Sequence, residues 1–303
     1  MAIYAQRASR STAQTVEALR AELAQHAKER DAARDYEYAA RKRLYAECEP
    51  ILFRLSEDCL AACRRIAKMA QPKAERLNLK ADGHDRLATF YRLVAPLVEF
   101  TILLERLTAF DLGLDRRIQV RYHLGRLLVD AISEDSQLAA EEPKCSYDPG
   151  GKPGFLGKAD PAVYLRQGIP PEDLEQLIEA MTCCPAQGPR VISFPSFKQS
   201  AQSKGALRDI CLRLVPLVHN FEPRTRPVLW RVLAVQHALL TLISRIGPDP
   251  RASELDWSDS LLPPSADDLT LDANTARACR SYLSRRLKPL IDLVKSWTLG
   301  EPA

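Results

Sequence analysis

Apolar positions recur at helical spacing over almost all of this chain outside residues 143–205. Val16, Leu19 and Leu23 open an i, i+3, i+7 seam, with Thr12 or Thr15 as a cap. The seam then weakens through His26, Arg30, Ala33, Glu37, Ala40 and Leu44. An autonomous coiled coil needs a sustained apolar a/d repeat. The pattern therefore predicts a long polar helix over about 12–47 that packs on the body or on a partner. Pro50 is expected to kink the next stretch or to start a new helix over 51–70.

The stretch 84–110 is apolar almost all round, through Leu87, Phe90, Tyr91, Val94, Leu97, Val98, Ile102, Leu103 and Leu107. Arg92, Glu99 and Arg106 form a narrow polar line along it, seven residues apart. A helix this apolar belongs at the centre of a bundle. The following helix, running to about residue 140, shows Ile118, Tyr122, Gly125, Val129 and Ile132 on one face. Gly125 costs helix stability, which a close approach to a neighbouring helix would compensate.

The middle changes character, because residues 143–205 hold nine of the 21 prolines and seven of the 12 glycines, so loops are expected to dominate. Two ordered islands are predicted there. Pro170, Pro171 and Glu172 start a short helix with Leu174, Leu177, Ile178 and Met181 on one face. Residues 190–197 (RVISFPSF) read as a short strand or extended segment that Pro195 confines to an edge, with room for a small hairpin. Beyond residue 205, helices are expected at about 203–220, 227–246 and 274–298. Thr225 and Pro227 start the second of these, and Gly247 and Pro248 stop it. An Arg-Leu…Pro-Leu pattern around Pro96, Pro216 and Pro289 has unequal spacing and reads as coincidence rather than as a repeat.

The fold class that follows is all-α: a multi-helix bundle with a central Pro/Gly-rich insert carrying at most a short strand or hairpin. The expected organisation is an N-terminal helical bundle (1–142) with its long polar N-terminal helix, the insert (143–205), and a C-terminal helical part (206–303). That last part can share one core with 48–142.

Charge alters this picture little. The net charge is +4 from 43 basic and 39 acidic residues, a mixed balance rather than the strong bias of a dedicated nucleic-acid binder. The N-terminus shows no apolar signal region. The greasiest stretches, 93–104 and 228–246, are short or interrupted by charge, so no membrane association and a cytoplasmic location are expected. The eight cysteines then imply no disulfide framework. Cys48 and Cys59 share a stripe with Leu52, Leu55 and Ile66, about 16 Å apart along a straight helix. That is too far for one metal, so these thiols, with Cys211 and Cys279, read as core.

Candidate chemistry is sparse. The glycine-rich run 150–158 lacks the first glycine and the hydroxyl of a phosphate loop. None of the five histidines sits in a zinc signature. Asp111 and Asp115 flank a helix break, where capping accounts for both. No catalytic residue, metal or cofactor is expected. Arg41, Lys42 and Arg43, Arg64 and Arg65, Arg116 and Arg117, and Arg285 and Arg286 are candidate phosphate contacts. Tyr36, Tyr38 and Tyr45 stand nearby for base stacking. Interleaved acids favour a solvated face instead. Arg92, Glu99, His237 and Thr241 are candidates to line an interhelical pocket. The leading expectation is a non-enzymatic interaction protein, an adaptor or assembly subunit. It would use the polar N-terminal helix and the central insert as contact surfaces, meeting another protein or itself through the helix. Nucleic-acid binding is the alternative, and an enzyme with an interhelical pocket the weaker one.

Overall fold

A computed structural model describes residues 2–71, 84–133, 169–186, 188–219, 221 and 227–245, together with 281, 284, 285 and 288. Among them are seven α-helices and one two-stranded sheet. The protein is all-α, with one short hairpin among the described residues. In order these are α1 (Ala2–Met69), α2 (His84–Leu107) and α3 (Arg116–Ser133), then α4 (Pro171–Met181), β1 (Thr182–Cys183) and β2 (Arg190–Val191). They are followed by α5 (Phe194–Gln202), α6 (Ala206–Leu214) and α7 (Pro227–Arg245). Two 3-10 turns, Leu112–Leu114 and Val215–Val218, lie between helices. The chain divides into two units, residues 1–48 and 49–303.

The first unit is helix. Forty-seven residues at 1.5 Å each make it about 70 Å long. Along residues 16–43 every side chain is exposed except those of Ala27 and Ala40, which are half-buried. Leu44 and Cys48, near its end, are buried.

In the second unit α1 continues from Glu49 with Pro50 inside it, where the sequence predicted a kink or a fresh start. A helix-interior proline lacks one amide donor and costs about 3 kcal/mol. Burial of Ile51, Leu52, Leu55, Cys59, Ala62, Ile66 and Met69 offsets it, at about 1.5–3 kcal/mol for each large aliphatic side chain. This is the predicted cysteine stripe, and its thiols are packed as small hydrophobes.

Helix α2 is the central element, buried continuously from Leu93 to Phe100. By length and composition alone Asp85–Leu107 could cross a membrane, but 78% of its apolar window is buried inside the protein. The other helices of this unit account for its apolarity. Pro96 cannot donate to the Arg92 carbonyl, which opens the local turn. One residue on, Gln236 Nε2 of α7 donates to the Leu93 carbonyl at 2.7 Å. Helix α3 packs on α7 and on α2. Its buried side runs through Ile118, Val120, Leu124, Leu128, Ala131 and Ile132. Tyr122 and Val129 of the predicted face are half-buried. Asp111 accepts from the Gly113 amide at 2.8 Å, and Asp115 accepts from the Arg117 amide at 2.7 Å. These two acids cap the turn and α3.

Within the Pro/Gly-rich segment, the described residues of 169–205 are mostly helical, and Pro170, Pro171 and Pro195 mark helix starts rather than loops. Pro170 and Pro171 begin α4, which buries Leu174, Leu177 and Met181. The hairpin pairs Thr182 with Val191 and Cys183 with Arg190. Its turn closes with the Gly188 amide donating to the Pro185 carbonyl at 2.9 Å. Gly188 sits at φ +100°, a conformation that suits glycine. The predicted strand 190–197 ends early. Ser193 accepts from the Ser196 amide, and Pro195 lies in the first turn of α5. A first-turn proline gives up an amide that has no helical partner anyway. The residue read as an edge-strand marker is thus a helix-start marker. Helix α6 ends sooner than expected, and Pro216 lies in the 3-10 turn that follows it. The run 150–158 and most of 274–298 lie outside the described residues; Ser281, Ser284, Arg285 and Lys288 are helical.

Candidate functional site

The polar line of α2 meets a second polar line on α1. Arg54 and Asp58 are four residues apart, one helical turn, so they share a face of α1. Arg54 Nε lies 3.1 Å from Glu99 Oε1, and Arg92 Nη1 lies 3.8 Å from Asp58 Oδ1. The side chain of Glu99 is 2% exposed, whereas that of Arg54 is 37% exposed, so the carboxylate is interior and its partner reaches water. The Arg92 guanidinium also sits over the Tyr91 ring, 5.6 Å from its centre.

The hairpin closes the third side. The Val191 amide donates to Glu99 Oε1 at 3.5 Å, and Arg54 Nη2 donates to the Pro189 carbonyl at 3.4 Å. Tyr91 Oη donates to the Ile192 carbonyl at 2.8 Å. Beyond them, Phe194 and Phe197 of α5 pack against the Tyr91 ring at 5.4 and 5.2 Å. Glu99 Oε2 is buried and has no hydrogen-bond partner among the described residues.

Electrostatics follow from this enclosure. Burial pushes the Asp58 carboxyl up to about 6, the Glu99 charge adds to the rise, and Arg92 and Arg54 oppose it. Burial likewise raises Glu99 above the usual carboxylate range, against the charge and hydrogen bond of Arg54 and the Val191 amide. Tyr91 is pushed up to about 12, chiefly by burial and then by Asp58. Ionised forms are thus disfavoured at three neighbouring groups. The buried thiols go the same way. Burial raises Cys59 well above the ordinary range and takes Cys211 to about 12, which keeps both protonated and poorly nucleophilic.

Of the predicted pocket residues, Arg92 and Glu99 belong to this cluster. His237 and Thr241 meet a different face of α1. Cys63 Sγ lies 3.5 Å from Thr241 Oγ1 and 3.7 Å from the His237 carbonyl oxygen. At 100° per residue Cys63 is about 140° around α1 from Asp58. The sequence missed Arg54, Asp58 and the 189–192 segment. The only signal was their four-residue spacing beside the buried stripe.

The candidate phosphate contacts are spread along α1, at the start of α3 and at Arg285. Arg41, Lys42 and Arg43 are exposed in the first unit, with Arg41 Nη2 3.9 Å from Glu37. Tyr36 and Tyr38 are exposed as well, but two residues apart they point about 160° from each other. Arg64 is exposed, and Arg65 pairs with Asp85 at 3.5 Å. Arg117 is 3.8 Å from Asp115 at the start of α3, and Arg285 is exposed. The Arg116 side chain and Arg286 lie outside the described residues. Among the described residues no three metal-ligating side chains converge. The chain matches no family model, no curated protein and no solved structure.

Proposed function

We propose that this chain is a non-enzymatic helical interaction protein of the cytoplasm, an adaptor or assembly subunit that binds its partner through the N-terminal helix. One observation carries the reading. Val16, Leu19 and Leu23 lie on one stripe of that helix and are 43%, 53% and 68% exposed. Single exposed aliphatics are ordinary, but a contiguous stripe marks an interaction surface. A stripe at i, i+3 and i+7 is the anchor spacing with which a helix docks into a groove or beside another helix. Long exposed helices draw little stability from propensity alone, and packing of an apolar face supplies the remainder.

The test uses the full-length protein and a Leu19→Glu/Leu23→Glu variant. Molar mass in solution and capture of partners from nuclease-treated cell extract are compared, with circular dichroism as the folding control. The expected result is a complex, either self-associated or with a defined protein, that the variant loses while keeping its helix content. Unchanged mass and unchanged capture in the variant would remove the reading. Binding that is lost with nuclease, falls steeply with salt and weakens in Arg41→Ala/Lys42→Ala/Arg43→Ala would replace it with nucleic-acid recognition.

A further inference from the structure

A two-stranded sheet with two residues per strand is not stable by itself, so the hairpin depends on what holds it. Part of that hold is the charged cluster. Glu99 Oε1 takes both the Arg54 guanidinium and the Val191 amide, and the same guanidinium reaches the Pro189 carbonyl. The two bonds to the hairpin are long, 3.5 and 3.4 Å, and the second carboxylate oxygen is buried with no partner among the described residues. An ionised carboxylate so placed loses hydration that its bonds only partly replace.

We propose that Arg54 and Glu99 form a proton-operated clasp that holds the 189–192 segment against α1 and α2 when Glu99 is protonated and loosens it when Glu99 is ionised.

The charged and titratable groups around the clasp come from three sides. Helix α1 brings Arg54, Glu57 and Asp58, and α2 brings Tyr91, Arg92 and Glu99. Arg106 of α2 lies by the turn, where a Cβ on Gly188 would be 3.3 Å from its Nη2. The hairpin adds the Val191 amide, the Pro189 carbonyl and the exposed Arg190. Burial is the largest cause of the raised proton affinity at both Asp58 and Glu99. Lifting the segment rehydrates Glu99 and relieves that cost. The closed state therefore binds protons more tightly than the open one, and linkage makes closure stronger at lower pH. Opening also uncovers the aromatic group of Tyr91, Phe194 and Phe197.

The test is hydrogen–deuterium exchange of the full-length protein between pH 5 and pH 8, corrected for intrinsic exchange rates. Amides 190–194 are followed, with the interior of α7 as reference. Protection of the segment relative to α7 is expected to fall at least about tenfold as pH rises, the factor that one pKa unit of linkage supplies. Glu99→Gln is expected to keep the segment protected and to flatten the dependence. Where Glu99→Gln does not fold, Arg54→Met/Glu99→Met, which also removes the titrating carboxyl, is expected to show no pH dependence of the segment. Relative protection that does not change with pH in the wild-type protein, or a variant that keeps the full dependence, would overturn the proposal.

Discussion

Gly125 of α3 faces the ring of Phe100 with no room for a Cβ, since an added methyl would overlap Cδ2, Cε2 and Cζ of that ring. Phe100 is fully buried, so the ring cannot swing into solvent to make space. The helix accepts the roughly 1 kcal/mol that glycine costs relative to alanine in exchange for close packing of α2 on α3.

Gly125→Ala is therefore expected to destabilise the protein by about 1–3 kcal/mol or more through overpacking, although alanine is the better helix former. Equilibrium urea unfolding reads this directly. Phe100→Leu in the Gly125→Ala background should recover part of the loss, because the smaller side chain vacates the overlapped volume. A Gly125→Ala variant as stable as the wild type would show that the two helices do not pack at this point.

Asp58 gives a pH prediction with a fixed sign. Its carboxyl titrates at about 6 when folded, above the ordinary value near 3.8. The folded state thus binds this proton more tightly than the unfolded chain. Its stabilising contribution is complete below about 3.8 and disappears as pH rises through 6. The corresponding difference is about 3 kcal/mol at most. Asp58→Asn removes this loss, so the variant should exceed the wild type in stability at pH 7 and show a flatter profile from pH 4 to 7. Urea midpoints across that range check it. A variant less stable at pH 7 would mean that the Arg92 ion pair outweighs the burial of the charge.

How much of this was legible follows from the range of each interaction. The stripe Cys48, Leu52, Leu55, Cys59 and Ile66, the caps at Asp111 and Asp115, and the tight approach at Gly125 depend on neighbours within a few turns or on a missing side chain. Spacing and residue type reveal such features. The line of Arg92, Glu99 and Arg106 was also visible, but not what it faces. Arg54 lies 45 residues before Glu99, and Val191 lies 92 after it. Helical periodicity cannot encode a pairing at that distance. His237 and Thr241 group with Arg92 and Glu99 in sequence because all four are polar positions on apolar helices. The packing sends the two pairs to different faces of α1. Pro195 failed for a local reason: proline suits both an edge strand and a first helical turn, and the Ser193 cap decides between them.

That cap supplies a third prediction. The Ser193 hydroxyl accepts from the Ser196 amide at 3.3 Å and lies 2.9 Å from the Ser196 hydroxyl. Ser193→Ala should cost about 1 kcal/mol, and Ser193→Asp should retain most of the stability by restoring an acceptor at a helix N-terminus. Thermal unfolding of the three proteins would order them as wild type and aspartate together, with alanine below. Equal stability of the alanine variant would show that α5 is held by Phe197 packing alone.

The Arg54–Glu99 pair separates the cost of a broken ion pair from the value of an intact one. Arg54→Ala leaves Glu99 buried with the Val191 amide as its remaining described donor. Removing one member of a fully buried pair costs about 3–5 kcal/mol. The Arg54 side chain is 37% exposed and already partly hydrated, so the expected loss is smaller, roughly 1–3 kcal/mol. The loss should shrink at acidic pH, where Glu99 takes up a proton and no longer needs the cation. The double variant Arg54→Met/Glu99→Met should lie close to the wild type, because two apolar side chains of similar length replace two charges and remove the orphaned oxygen. Urea unfolding at pH 5 and pH 7 on the four corners of this cycle gives the coupling between the residues. A double variant as unstable as Arg54→Ala would show that the pair contributes net stability. A coupling near zero would show that the 3.1 Å contact has no energetic weight.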